Sequence, residues 1–149
     1  VLPFVEGDEA FCLTYGDGVA DIDIRALVDF HKKHGKIATV TAVAPPGRFG
    51  ALKIDRTQAD LVTELVEKPA GDGGLINGGF FVLSPRVKDF IEEREDEIWE
   101  HGPLTRLAAA GELVAFRHSG FWHPMDTIRD RIELEALWSS PNPPWKNWR

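Results

Sequence analysis

The sequence predicts an α/β fold, a mixed sheet flanked by helices in a single domain, and three observations carry that expectation. The apolar run Ala10–Leu13 leads through a glycine-rich turn into the helical pattern Ile24, Leu27, Val28, His31, which stops at Gly35 and is followed by the β-branched run Lys36–Val43. A strand, helix, strand order of this kind is a crossover unit in a mixed or parallel sheet. Further β-rich runs at Leu75–Leu83 and Leu113–Phe116 alternate with helical patterns. Finally, 149 residues that are 43% hydrophobic and 28% charged suffice for one domain with a core, and no internal repeat or linker divides them.

The first apolar run ends in Thr14–Asp21, TYGDGVAD, which sets Asp17 between two glycines at the carboxyl end of a strand. In open α/β sheets ligands bind at that edge, and glycines let the backbone come close to a phosphate or sugar. The alternative is an ordinary strand-to-helix turn in which Asp17 or Asp21 caps the next helix; Asp23 is also placed to do so. After Val43, the breakers Pro45, Pro46 and Gly47 precede two strands, Gly50–Asp55 and Leu61–Glu67, joined by a polar turn, and Pro69–Gly74, PAGDGG, is a loop. Leu75–Leu83 is a strand with Gly78 and Gly79 at its centre, a pair that weakens a strand unless something must approach closely. Ser84 opens a helix with Pro85 at its first position, and another helix covers Leu104–Ala110, ending at Gly111. The short strand Leu113–Phe116 follows, then a last helix, Thr127–Trp138, with Leu134, Leu137 and Trp138 on one face, and the tail PNPPWKNWR.

Seventeen basic against 24 acidic residues leave a net charge of −7, and no stretch gathers Lys and Arg into a stripe, which excludes nucleic acid as the expected partner. Small phosphorylated ligands need only a few placed cations and stay open. Cys12, the single cysteine, lies in an apolar run and reads as a small buried hydrophobe, consistent with a reducing, cytoplasmic setting. No long apolar segment suggests a membrane partner.

Three segments place a polar residue beside glycine or proline at the end of an apolar run: YGDG around Asp17, Glu67–Pro69 (EKP) with Asn77–Gly79 (NGG), and FWHPMDT around Asp126. Mg²⁺ is held by one or two carboxylates with phosphates and water, so Asp17 and Asp126 would have to converge from distant segments. Lys68 could then give a phosphate its positive charge. Each residue also has a plain reading: Asp126 as the N-cap of the last helix, Lys68 as a solvated lysine, Asn77 in a turn, Trp122 filling core. The histidine pairs His31/His34 and His118/His123 have no third ligand placed by spacing to complete a zinc set, and are expected to be surface or half-buried. A calcium loop counted from Asp17 fails because its twelfth position is Val28.

Taken together and in order, TYGDGVADID, HKKHGKIATVTA, PPGRFGAL, VEKPAGDGGLINGGFFVLSP and GFWHPMDTIRD with the terminal PWKNW resemble the glucose-1-phosphate cytidylyltransferases, a branch of the sugar nucleotidyltransferases. The likeness covers essentially the whole sequence. It implies a Rossmann-like nucleotidyltransferase fold that joins a sugar 1-phosphate to CTP and releases pyrophosphate, with Mg²⁺ as cofactor. By the resemblance, Asp17 and Asp126 bind the metal and Lys68 contacts the sugar phosphate. Glu67, Asn77, Gly78, Gly79 and Trp122 face the hexose, and Arg48 is a weaker candidate for the site or a subunit interface. The chemistry is in-line displacement at the α-phosphorus and needs no nucleophilic side chain.

The family's glycine-rich triphosphate loop, of the type GGxGTRL followed by PKP, is not in this sequence. The 149 residues therefore correspond to the carboxyl-terminal, sugar-phosphate and metal-binding part of such an enzyme and are expected to be inactive alone; the alternative is a non-catalytic sugar-phosphate-binding or assembly module. His123 stands where a glutamine is usual, and Gly102 where an acidic residue is expected. With no strand preceding it, the Ala10–Leu13 strand is expected to lie at an uncovered edge, and such edges favour a homo-oligomer.

Overall fold

The computed structural model describes residues 2–45, 51–55, 61–66 and 74–148. In chain order these form α1 (Leu2–Val5), β1 (Phe11–Thr14), β2 (Gly18–Ala20), α2 (Ile24–His34), β3 (Ala38–Val43), β4 (Ala51–Asp55), β5 (Leu61–Val66), β6 (Ile76–Leu83), a 3-10 helix (Pro85–Phe90), α3 (Pro103–Ala109), β7 (Leu113–His118), β8 (Trp122–Pro124) and α4 (Ile128–Trp138). Four strands build the central sheet in the order β1-β6-β3-β7. β6 is antiparallel to both its neighbours and β3 is parallel to β7, so the sheet is mixed, as expected. The crossover from β1 through α2 to β3 is present, but it leaves a gap one strand wide that β6 later fills. β2 pairs with β8, and β4 with β5, in two antiparallel ribbons.

Each helix start has a local cause. Asp23 accepts the Ala26 N–H at 3.0 Å and Gly35 closes α2 at φ +66°. Ser84 accepts the Arg86 N–H, but the turn that Pro85 opens is a 3-10 helix of six residues rather than the expected α-helix. α4 begins with a reciprocal capping box between Thr127 and Asp130. The strands β2 and β8 are additions to the sequence reading: three residues are too few to show a period.

Alternation along β6 divides the core in two. Phe81 and Leu83 join Ile37, Ala38, Val87, Leu104 and Leu107 beneath the 3-10 helix and α3, while Val82 packs on the opposite face with Ile22 and Leu27 of the α2 side. A strand covered on both faces is a continuous apolar run, which is what Phe80–Leu83 is. Cys12 corrects the sequence reading. It pairs in register with Val82 and so shares its face, but β1 is the outer strand and Cys12 is exposed there.

His31 is a second correction, since it is buried rather than superficial. It lies over Thr39, whose Oγ1 is 2.9 Å from His31 Nδ1 and 2.7 Å from His34 Nε2. His34 Nδ1 accepts the Lys36 N–H at 2.9 Å, so its Nε2 carries the proton and donates to Thr39, whose hydroxyl can donate onward to His31. Burial, first, and the neighbouring His34 push His31 below the ordinary imidazole value; burial, first, and Lys36 do the same to His34. The unfolded chain then binds more protons as pH falls through about 6.5, and stability is lost in that direction. The urea midpoint is expected to fall between about pH 7.5 and about pH 5.5, and His31→Gln to flatten the fall; equal slopes in the two proteins would contradict this.

Phe81 sits at the centre of the larger core, with ring centroids 5.5 Å from Tyr15 and 5.8 Å from Trp99. Phe81→Ala is expected to cost about 3–5 kcal/mol in equilibrium denaturation, and a loss under about 1 kcal/mol would show that the layer can collapse into the space.

Candidate functional site

At the carboxyl end of β1 the chain turns through Tyr15 and Asp17 into β2, and β6 begins beside it with Asn77, Gly78 and Gly79. Backbone and side chains interlock there. The Tyr15 N–H donates to the Gly79 carbonyl at 2.9 Å, Trp122 Nε1 donates to the Gly78 carbonyl at 2.8 Å, and the Met125 N–H donates to the Asp17 carbonyl at 2.7 Å. The last bond ties the loop bearing Asp17 to the one bearing Asp126. Asn77 bridges inward: its Oδ1 accepts the Gly79 N–H at 2.9 Å and its Nδ2 donates to the Tyr15 hydroxyl at 3.1 Å. Tyr15 in turn donates to Glu100.

Gly79 has φ +77°, and a Cβ there would stand 2.9 Å from the Tyr15 ring. A Cβ on Gly78 would stand 2.9 Å from Val43. Both glycines are therefore required by close approach. Between these walls lies a cavity of about 300 Å³ lined by Tyr15, Asp17, Gly18, Ile76, Asn77, Gly78, Gly79, Trp122, Pro124 and Asp126.

Of the residues singled out from sequence, Asp17, Asn77, Gly78, Gly79, Trp122 and Asp126 thus meet at one cavity although three separate chain segments supply them. The competing roles of the two acids fall away among the described residues, because Asp23 caps α2 and Thr127 caps α4. Arg48, Glu67 and Lys68 lie outside the described residues. Tyr15 and Glu100 were not anticipated. Tyr15 stands next to the motif and could have been flagged by it, whereas Glu100 reaches the cavity wall from a turn that no local pattern connects to β1.

The donor set is hard oxygen: two exposed carboxylates, a side-chain amide and backbone carbonyls. Burial, first, and the Glu100 hydrogen bond push the Tyr15 phenol well above its ordinary range, so it acts as a fixed donor. No Ser, Cys or His is among the described lining residues. Such a cavity can bind and orient a ligand and hold a cation.

Outside the cavity, a side-chain contact joins the end of β7 to the residue that follows β2. His118 Nε2 lies 2.9 Å from Asp21 Oδ1 and 3.2 Å from the Phe121 carbonyl. No helix among the described residues is long and apolar enough to cross a membrane.

Comparison with known proteins gives this cavity a context. The chain is 59% identical over 148 residues to a glucose-1-phosphate cytidylyltransferase of Salmonella typhi, covering 99% of this chain and 56% of that protein. It is 33% identical over 134 residues to a mannose-1-phosphate guanyltransferase of Candida albicans, covering 88% of this chain and 37% of that one. The chain thus spans about half the length, or less, of these relatives. A crystal structure from Bacillus anthracis, provisionally assigned as a glucose-1-phosphate thymidylyltransferase, superposes with a TM-score of 0.63 at 22% identity over 95% of this chain and 58% of its own, which shows a shared fold. The family model described as nucleotidyl transferase matches residues 2–135, and the chain belongs to that family.

Proposed function

We propose that these residues form the sugar-phosphate and metal half of a glucose-1-phosphate cytidylyltransferase, which joins glucose 1-phosphate to CTP and releases pyrophosphate. The observation that carries the reading is the meeting of Asp17 and Asp126 with Asn77, Gly78, Gly79 and Trp122 in the lining of one cavity. Two carboxylates on one cavity are what Mg²⁺ takes from a protein, phosphates and water completing its octahedron, so the donor set fits that ion. Bound by Asp17 and Asp126, Mg²⁺ would offset negative charge on the phosphates.

The chain's own residues do the rest by positioning. Asn77, held between the Gly79 N–H and the Tyr15 hydroxyl, and the Trp122 ring, held by the Gly78 carbonyl, fix the hexose. Glu67 adds a hexose contact, Lys68 pairs with the sugar phosphate, and Arg48 contacts the site or a second subunit. A phosphate oxygen of the sugar then attacks the α-phosphorus in line, and the reaction draws on orientation and electrostatics. The sequence contains no glycine-rich triphosphate loop, so these 149 residues are proposed to bind the sugar phosphate and not to turn it over by themselves.

Calorimetry is expected to show magnesium-dependent binding of glucose 1-phosphate, weakened about tenfold, or about 1.4 kcal/mol, by Lys68→Ala. Absence of heat with the wild-type chain, or equal binding by the variant, would sink the ligand assignment. Asp17→Asn with Asp126→Asn is expected to abolish the magnesium dependence. The chain incubated with CTP, glucose 1-phosphate and Mg²⁺ is expected to release no pyrophosphate; steady release would refute the requirement for a separate triphosphate loop.

A further inference from the structure

On the far side of the Asp126 turn, β8 and α4 bring a second set of donors together. His123, at the middle of β8, and Asp130 and Glu133, one turn apart on α4, each present one donor atom, and the three atoms lie within 4.8 Å of one another. His123 Nε2 is 3.3 Å from Glu133 Oε2. The other side of the imidazole is already fixed: Nδ1 is 2.7 Å from the Pro124 carbonyl, which can only accept. Nδ1 therefore carries a proton, and Nε2 is the ring atom turned towards the carboxylates. The ring is further held by stacking on Phe121, with centroids 6.4 Å apart and planes 18° from parallel.

The carboxylates are anchored as well. Asp130 is buried and accepts the Thr127 N–H through Oδ2 at 2.9 Å. Glu133 uses Oε1 for Arg129 at 3.0 Å, leaving Oε2 as the atom nearest His123. A nitrogen lone pair facing two carboxylates requires a positive centre between them, either a proton or a metal ion. One imidazole nitrogen with two carboxylate oxygens is a donor set for a borderline ion, and in such sites ligand atoms about 3.5 Å apart surround zinc at about 2.0–2.2 Å. An outer Nδ1–H bond to a carbonyl is the usual support of a metal-bound histidine. Mg²⁺, which prefers oxygen, is not selected by it.

We propose that His123, Asp130 and Glu133 form a second divalent-cation site, suited to Zn²⁺ and distinct from the Asp17–Asp126 pair, which clamps β8 to α4. Water completes the coordination on the open side, where the Glu133 side chain is 44% exposed. The clamp spans both ends of the turn Pro124–Thr127, so the ion steadies the segment that carries Asp126. Spacing between histidines could not reveal this set, because its other members are acids on a helix folded back onto the strand.

The test is a titration of the whole chain against a chromophoric zinc chelator, with excess Mg²⁺ present to occupy the other site. One zinc per chain is expected, with at least tenfold weaker binding in His123→Gln and in Glu133→Gln. Glu133 lies on the open side of α4, so that variant separates loss of the site from loss of the fold, which circular dichroism checks. Asp17→Asn with Asp126→Asn is expected to keep the zinc while losing magnesium-dependent sugar-phosphate binding. No zinc taken from the chelator, equal affinity in wild type and His123→Gln, or loss of zinc in the Asp17/Asp126 variant would each overturn the site, the first result leaving a proton between His123 and Glu133.

Discussion

The cavity depends on the backbone coming close at Gly78 and Gly79. Tyr15 and Trp122 each donate to a carbonyl of this pair, and Asn77 is oriented by the Gly79 N–H. A side chain at either glycine would drive into Tyr15 or Val43, moving the wall to which two other segments are hydrogen-bonded. Glycine is costly inside a strand, by roughly 0.5–1 kcal/mol against alanine. β6 offsets that cost along its remaining length, where Phe81, Val82 and Leu83 are all buried in the middle of the sheet.

This arrangement suits chemistry done by positioning. Displacement at a phosphorus asks the protein for fixed dipoles and charges, and these work best when their supports are already satisfied before the ligand arrives. Asn77 and Trp122 have partners in place, and the loops bearing Asp17 and Asp126 are joined by a main-chain hydrogen bond. The two acids line the cavity and are exposed there. The exposed edge of β1 and the position of Cys12 concern the outside of the sheet and leave this interior unaffected.

Much of this was legible in the sequence, and the exceptions have physical causes. Helix α2 announced itself through Asp23, its apolar spacing and Gly35, and the β6 run through its length and its glycine pair. The two ribbon strands β2 and β8 did not, because three residues carry no alternation and their pairing is wholly long-range. Cys12 was misread because an apolar run shows that a strand is buried, not which of its residues lies beyond the reach of the covering helix. His31 was misread although it falls on the apolar spacing of α2: the partner that satisfies its ring inside the core, Thr39, lies on β3 and no local pattern shows it. At the site, glycine and proline flanking marked Asp17 and Asp126, whereas Glu100 meets Tyr15 only through the tertiary fold.

The placement of β6 between β1 and β3 also dictates an order of assembly. β1 and β3 share no hydrogen bonds, since their common neighbour β6 follows both of them in the chain. Closing the sheet means paying for a long loop before its contacts are gained, which is the topology of a slow folder. β6 therefore joins the two strands and brings in the cavity wall in one event.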